Sequence, residues 1–248
     1  MRTGSGGPGV RRRLPRWAYG RGMRTIIAGG HGQIALRLER LLAGRGDAVA
    51  GIVRRPGQAS GLLAAGAEPV VCDLETAGVE EVTRHLEGAD AAVFAAGAGP
   101  GSGSARKQSV DHRAAVLFAD AAQAAGVRRY VMVSAMRADA LLDGTPDGMD
   151  PVFADYLRAK GAADDDLRAR TDLDWTVLRP GRLTDETGTG RVHLAPETGR
   201  GEVTRDDVAA VLLALLDEPR TAGLTLELIG GRMPIPEAID EVAGVEGA

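Results

Sequence analysis

The chain has 248 residues, 44% hydrophobic and 26% charged, enough to bury a full core within one α/β domain. No apolar run approaches the roughly 20 residues that cross a bilayer, so no membrane-spanning role is expected. The formal charge of −4 combines six arginines and no acid in residues 1–22 with an acidic remainder, and 3% of the chain is aromatic, which argues against a nucleic-acid surface of basic patches and stacking rings.

Residues 1–22 are rich in Gly and Arg and show neither helical nor strand periodicity, which predicts a disordered basic arm. Met23 stands directly before the first strand, as an alternative start or the end of a dispensable arm would have it. Arg24–Ala28 is an apolar run that passes into Gly29-Gly30-His31-Gly32-Gln33-Ile34-Ala35 and then into a helix whose apolar face is Ile34, Leu38, Leu41 and Leu42. This reads as a phosphate-binding turn. Gly29 permits a tight turn, Gly32 lets the backbone approach a diphosphate at the positive end of the helix, and Ala35 lets that helix lie close. Gly30, His31, Gln33 and Ile34 complete the candidate cradle; a plain strand-to-helix connection is the other reading.

A second strand, Ala48–Val53, ends in Arg54 and Arg55, with no acid between Asp47 and Glu68. A carboxylate at this place would favour a free ribose 2′-hydroxyl, whereas guanidinium suits a 2′-phosphate, so NADP is expected over NAD unless the two arginines are merely solvated. A third strand, Glu68–Cys72, leads to Asp73 and Leu74; Asp73 suits the adenine amino group or, equally, a cap. Cys72, the sole cysteine, excludes an internal disulfide, fits a reducing cytoplasm and is expected as a buried, inert thiol. The fourth strand, Ala89–Ala95, closes with Ala95, Ala96 and Gly97, small enough for a cofactor to pass. His31, His112 and His193 are too scattered to suggest a metal.

Further strands are expected at Arg129–Ser134, Trp175–Arg179 and Leu224–Ile229, with loops on the ligand side at 97–104, 136–151 and 183–201. Thr187–Gly190 has the flexible composition of a lid. Asp164-Asp165-Asp166 reads as a charged helix face, and Thr204 with Asp207 as a helix start followed by the stripe Val208, Val211, Leu212 and Leu215. Arg179 at a strand end suits an anionic substrate group or an ion pair. Near-continuous apolar strands alternating with helices predict a doubly wound, mostly parallel sheet with helices on both faces, in one domain, and ligand at the carboxyl ends where the strand order switches.

Tyr156 and Lys160 stand four apart in a helix expected over Phe153–Arg170. An ammonium there would lower the phenol pKa and let it exchange a proton with a substrate oxygen, with Ser134 bonding the same oxygen. Tyr156, Lys160, Ala163 and Leu167 also make a packing stripe, and spacing alone does not separate the two readings.

Together the glycine turn Gly29–Ala35, Val133-Ser134, Tyr156-x-x-x-Lys160 and Leu178-Arg179-Pro180-Gly181 resemble the short-chain dehydrogenase/reductase superfamily, over residues 23 to about 230. The likeness is to its atypical branch of NAD(P)H-binding, epimerase-like or flavin-reductase-like proteins. It implies a Rossmann fold in which Gly29, Gly32 and Ala35 cradle the diphosphate, Arg54 meets the 2′-phosphate, Asp73 contacts adenine, Pro180 borders the cofactor, and Ser134, Tyr156 and Lys160 form the reductase set. Ala35 stands where the motif has its last glycine, and Asp111 where the branch has an Asn. The expected protein is a cytoplasmic NADP(H)-dependent oxidoreductase, monomer or homodimer, acting on a small carbonyl, hydroxyl or quinone/flavin-like substrate. An NADP(H)-binding redox sensor without turnover and a sugar-nucleotide epimerase or dehydratase are the alternatives.

Overall fold

In the computed structural model, residues 22–99, 101–141, 144–146 and 148–244 are described. The expected N-terminal arm, except Gly22, lies outside them, as do parts of the loops at 97–104 and 136–151. Alternating elements follow the sequence pattern: β1 (Arg24–Ala28), α1 (Gln33–Arg45), β2 (Ala48–Val53), α2 (Ala59–Ala64), β3 (Glu68–Val71), α3 (Val79–Leu86) and β4 (Ala91–Phe94). A composite helix comes next, with α4 (Ser104–Arg106), a π-helical stretch at Lys107–Arg113 and α5 (Ala114–Ala124). The chain continues through β5 (Arg129–Val133), α6 (Pro151–Arg168), β6 (Asp174–Pro180), β7 (Arg182–Thr184), β8 (Arg191–Ala195), β9 (Glu202–Thr204), α7 (Arg205–Asp217), β10 (Leu224–Gly230), β11 (Met233–Pro234) and α8 (Ile235–Gly244).

Nine strands form one sheet in the order β11-β8-β10-β6-β5-β4-β1-β2-β3, parallel throughout except for the pairings of β8 with β10 and β11; β7 and β9 pair separately. This is the doubly wound, mostly parallel sheet expected. The order switches between β1 and β4, which leaves a crevice at their carboxyl ends. Side chains alternate across the sheet, so Ile27 joins Leu38, Leu42, Val208 and Leu212 on one face while Ile26 and Ala28 join Phe94, Phe118 and Tyr130 on the other. Both faces are dry, as the continuous apolar strands require. At one border of the sheet β3 carries Pro69; at the other, the two-residue β11 carries Pro234.

Three expectations need correction. The segment 183–201 is not one loop: β8 lies within it and enters the main sheet, and Asp206 and Asp207 accept from the backbone N–H of Gly188, Thr189 and Gly190 at 2.8–3.2 Å, so the proposed lid is tied to the start of α7. Asp164 is not on a solvated face; it is fully buried, and only its neighbours Asp165 and Asp166 pair at the surface with Arg168 and Arg170. Leu41 is 38% exposed, while Glu39 is fully buried in its stead. The reason is periodicity, since positions 35, 38, 39 and 42 share the inward stripe of α1. Gly30 and Gly51 leave the space that the Glu39 carboxyl fills: a Cβ at either would stand 2.8 or 2.5 Å from its Oε1. Neither Glu39 oxygen has a hydrogen-bond partner among the described residues, and burial raises its pKa to about 8.

Candidate cofactor and active site

The turn after β1 has the geometry that its glycines allow. Gly29 sits at φ +80°, and an added Cβ would stand 2.6 Å from the Ala96 Cα. Its N–H and that of Gly30 both donate to the Ile52 carbonyl, and the Gly32 N–H donates to the Gly29 carbonyl at 2.8 Å. Gly32 caps α1 with no side-chain bond, and no acid occupies the first turn, so the positive end of the helix faces the crevice uncompensated. Gly29→Ala is expected to cost about 1–3 kcal/mol in backbone strain alone, with steric overlap added, and to remove dinucleotide binding; thermal melting and a cofactor titration check it.

An open groove runs from this turn along the ends of β2, β3 and β4. It is lined by Gly29, His31, Gly32, Arg54, Gln58, Cys72, Asp73, Leu74, Glu75, Ala95, Ala96, Gly97 and Arg106, among others. Several expected residues are elsewhere. Gly30 is buried beneath the turn against Glu39. Gln33 is exposed and its oxygens accept from Arg37, while Ile34 packs on the core. Arg55 is exposed outside the groove, its backbone N–H held by Gln58. Asp73 lines the groove and also accepts from the Glu75 N–H at 3.1 Å, so it caps its own turn. The Cys72 thiol is buried and pushed up to about 11, by burial and by Glu81, whose Oε1 lies 3.8 Å away. It is therefore neutral.

Two groove residues carry no short-range sequence signal. Glu75 Oε2 accepts from Arg54 at 3.1 Å and from Arg106 at 3.3 Å, and its Oε1 accepts from the Ser109 hydroxyl at 2.6 Å. The Ser109 hydrogen bond, with the two guanidiniums, holds the Glu75 carboxyl below the usual range. Arg106 arrives from α4, which only the pairing of β4 with β1 brings near Arg54.

Beyond the groove, Tyr156, Lys160 and Asp164 make one stripe on α6. Lys160, 5% exposed, donates to the Val133 carbonyl at 3.2 Å and lies 3.4 Å from Asp111 Oδ1, with the Phe94 ring 5.9 Å below. Asp111 is fully buried and its Oδ2 accepts from the Ala98 N–H at 3.3 Å. The π-helical stretch supplies it, a local widening of the kind common at functional sites. The Tyr156 ring lies between Phe153 and Lys107, whose Nζ is 5.0 Å from the ring centre. Its phenol pKa is raised, not lowered as expected: burial outweighs Lys160, and Asp111 and Asp164 add to the rise. Asp111 offsets the ammonium that was expected to favour phenolate.

The Ser134 hydroxyl is buried at the end of β5 and makes no hydrogen bond among the described residues. Arg179 is an ion-pairing residue. Its Nε donates to Asp164 Oδ2 at 2.9 Å and its Nη1 to Asp139 at 2.8 Å, with Nη2 ion-paired to Asp164 at 2.8 Å, so the guanidinium is held between two carboxylates. Pro180 is buried at the end of β6 and does not line the groove.

A nicotinamide dinucleotide fits these residues: an uncapped helix terminus for the diphosphate, small residues at 95–97 along its path, and guanidiniums at the adenosine end. A family model described as NAD(P)H-binding matches residues 29–219. A protein of Bacillus subtilis (strain 168) named as an uncharacterized sugar epimerase, YhfK, is 37% identical over 221 residues, covering 89% of this chain and 100% of its own. Among solved structures, a candidate NAD-dependent epimerase/dehydratase from Bacillus halodurans is 34% identical with a TM-score of 0.79, covering 89% of this chain and 100% of its own. The oxidoreductase ylbE from Lactococcus lactis is 26% identical with a TM-score of 0.78, covering 91% and 99%. No helix among the described residues is long and apolar enough to cross a membrane. The crevice at the β1/β4 switch and the extent of these matches agree, and the chain belongs to the NAD(P)H-binding family, in the epimerase- and oxidoreductase-like branch of the short-chain dehydrogenase/reductase superfamily.

Proposed function

We propose that the protein is an NADP(H)-dependent oxidoreductase that reduces a small carbonyl or a quinone- or flavin-like acceptor, with Tyr156 as its proton donor. The observation that carries this reading is the Tyr156 phenol, kept protonated on α6 one turn from the ion-paired Lys160. The dinucleotide, when bound, supplies or takes up hydride. Tyr156, protonated near neutral pH, gives its proton to the substrate oxygen. Lys160 donates to the Val133 carbonyl and is ion-paired with Asp111, which leaves its ammonium hydrogens to reach a ribose hydroxyl. Ser134, at the carboxyl end of β5, bonds the same substrate oxygen. Arg54, lining the groove in the absence of a competing acid on β2, favours the 2′-phosphate of NADP.

Calorimetric titration with NADPH and NADH, followed by an acceptor panel monitored by NADPH absorbance, tests the proposal. NADPH is expected to bind tighter. Tyr156→Phe is expected to lower turnover by about 10²–10⁴-fold while leaving NADPH affinity unchanged; undiminished turnover would reject the assignment. The epimerase names of two relatives favour a second reading, in which the cofactor is reduced and reoxidised within one cycle. Substrate conversion without net NADPH consumption would select it.

A further inference from the structure

Glu75 stands where an anionic ligand would. Its Oε2 is shared by two guanidiniums from distant parts of the chain, Arg54 at the end of β2 and Arg106 in α4, and all three line the groove. The Ser109 hydroxyl fixes the other oxygen at 2.6 Å. Arg106 also keeps a buried Nε–H with no partner among the described residues, although buried donors are ordinarily satisfied. The side chains remain a fifth to two fifths exposed, at 33%, 38% and 23% for Arg54, Arg106 and Glu75, so a solute can reach them.

We propose that Arg106 is the second guanidinium of a 2′-phosphate subsite and that Glu75 is its internal competitor, a specificity-determining carboxylate that a 2′-phosphate must displace from both arginines. The inference rests on the dinucleotide reading of the groove and adds to it a residue that sets the preference. A 2′-phosphate brings about two charges and three acceptor oxygens against one carboxylate, so it can occupy both forks and the spare Arg106 donor at once. A 2′-hydroxyl cannot draw either arginine away from Glu75. The carboxylate therefore weakens the affinity for the phosphorylated dinucleotide alone and narrows the contrast between the two.

The test uses the full chain and two adenosine fragments, 2′,5′-ADP and 5′-AMP, titrated calorimetrically into the wild type, Glu75→Gln and Arg106→Gln. Glu75→Gln is expected to tighten 2′,5′-ADP about tenfold and to move 5′-AMP less than about twofold, because the amide keeps the Ser109 contact and loses the competing charge. Arg106→Gln is expected to weaken 2′,5′-ADP about tenfold with 5′-AMP unchanged. Weaker 2′,5′-ADP binding in Glu75→Gln would overturn the competitor role and make Glu75 a scaffold for the arginines. Equal losses for both fragments, or none, in Arg106→Gln would overturn the second-guanidinium role. Equal affinity for the two fragments in all three proteins would end the subsite and leave the adenosine groove standing, whereas a wild type that binds neither fragment would bring down the cofactor reading with it. Unchanged melting temperatures establish that each variant is folded.

Discussion

Asp111→Asn is expected to destabilise the fold by about 3–5 kcal/mol, because it strands a buried ammonium. Lys160 is 5% exposed and Asp111 fully buried, so neither charge can be rescued by water without opening the helix–sheet interface. In the variant Lys160 is left with neutral acceptors, the Val133 carbonyl and the new amide oxygen, and neutral bonds do not offset the desolvation of a full charge. Lys160→Met/Asp111→Leu, which removes both charges, is expected to recover most of the loss, since apolar isosteres of buried pairs are often neutral or stabilising. Urea denaturation of the wild type, Lys160→Met, Asp111→Leu and the double variant closes a mutant cycle that isolates the coupling. A loss below about 1 kcal/mol in Asp111→Asn would show that the pair does not hold this part of the fold.

The second large effect is a pH dependence. Glu39 keeps its proton up to about pH 8 in the folded chain, against an ordinary value of 4.5. Across that window the native state holds a proton that the unfolded chain releases, so stability is greatest below about pH 4.5 and drains away as pH rises towards 8. The full shift corresponds to about 5 kcal/mol, an upper bound on the loss. Glu39→Gln cannot ionise. Its stability relative to the wild type is therefore expected to improve by a large part of that figure between about pH 5 and pH 8.5, read from denaturant midpoints at both values. A constant difference would mean that Glu39 is ionised or finds a partner.

Much of this fold was legible because its strands are apolar on both faces. The runs of β1 to β6 and β10 announce themselves by continuous Ile, Val, Leu and Ala, and their positions agree within a residue or two with the expectation. β8 escaped notice because only Val192 and Leu194 of its five residues are buried, in a setting of Gly, Thr and Glu that reads as loop. Glu39 was hidden by a different conflict. A charged residue at a stripe position is ordinarily displaced by an apolar neighbour such as Leu41, and only the glycines at 30 and 51, distant in sequence, make room for the carboxyl.

The site divides along the same line. Gly29, Gly32, Arg54 and the Tyr156–Lys160 spacing are local signals, and helix geometry and turn chemistry suffice to pick them out. What surrounds them is tertiary. Arg106, Ser109 and Glu75 meet because β4 returns beside β1, and Asp111 faces Lys160 because a π-helical stretch brings it there. The direction of the Tyr156 shift followed from burial first, with Asp111 and Asp164 adding to it, so the lysine beside the phenol did not set the sign.

The prolines at the two borders of the sheet limit how copies of this chain can associate. The Cys72 N–H donates inwards to Val53, so alternation turns Pro69 and Val71 outwards, and Pro69 has no hydrogen to offer a newcomer. Pro234 leaves β11 equally short of donors. Each margin lacks a donor that an added strand would need, which disfavours pairing of copies along the ladder that builds the cofactor crevice.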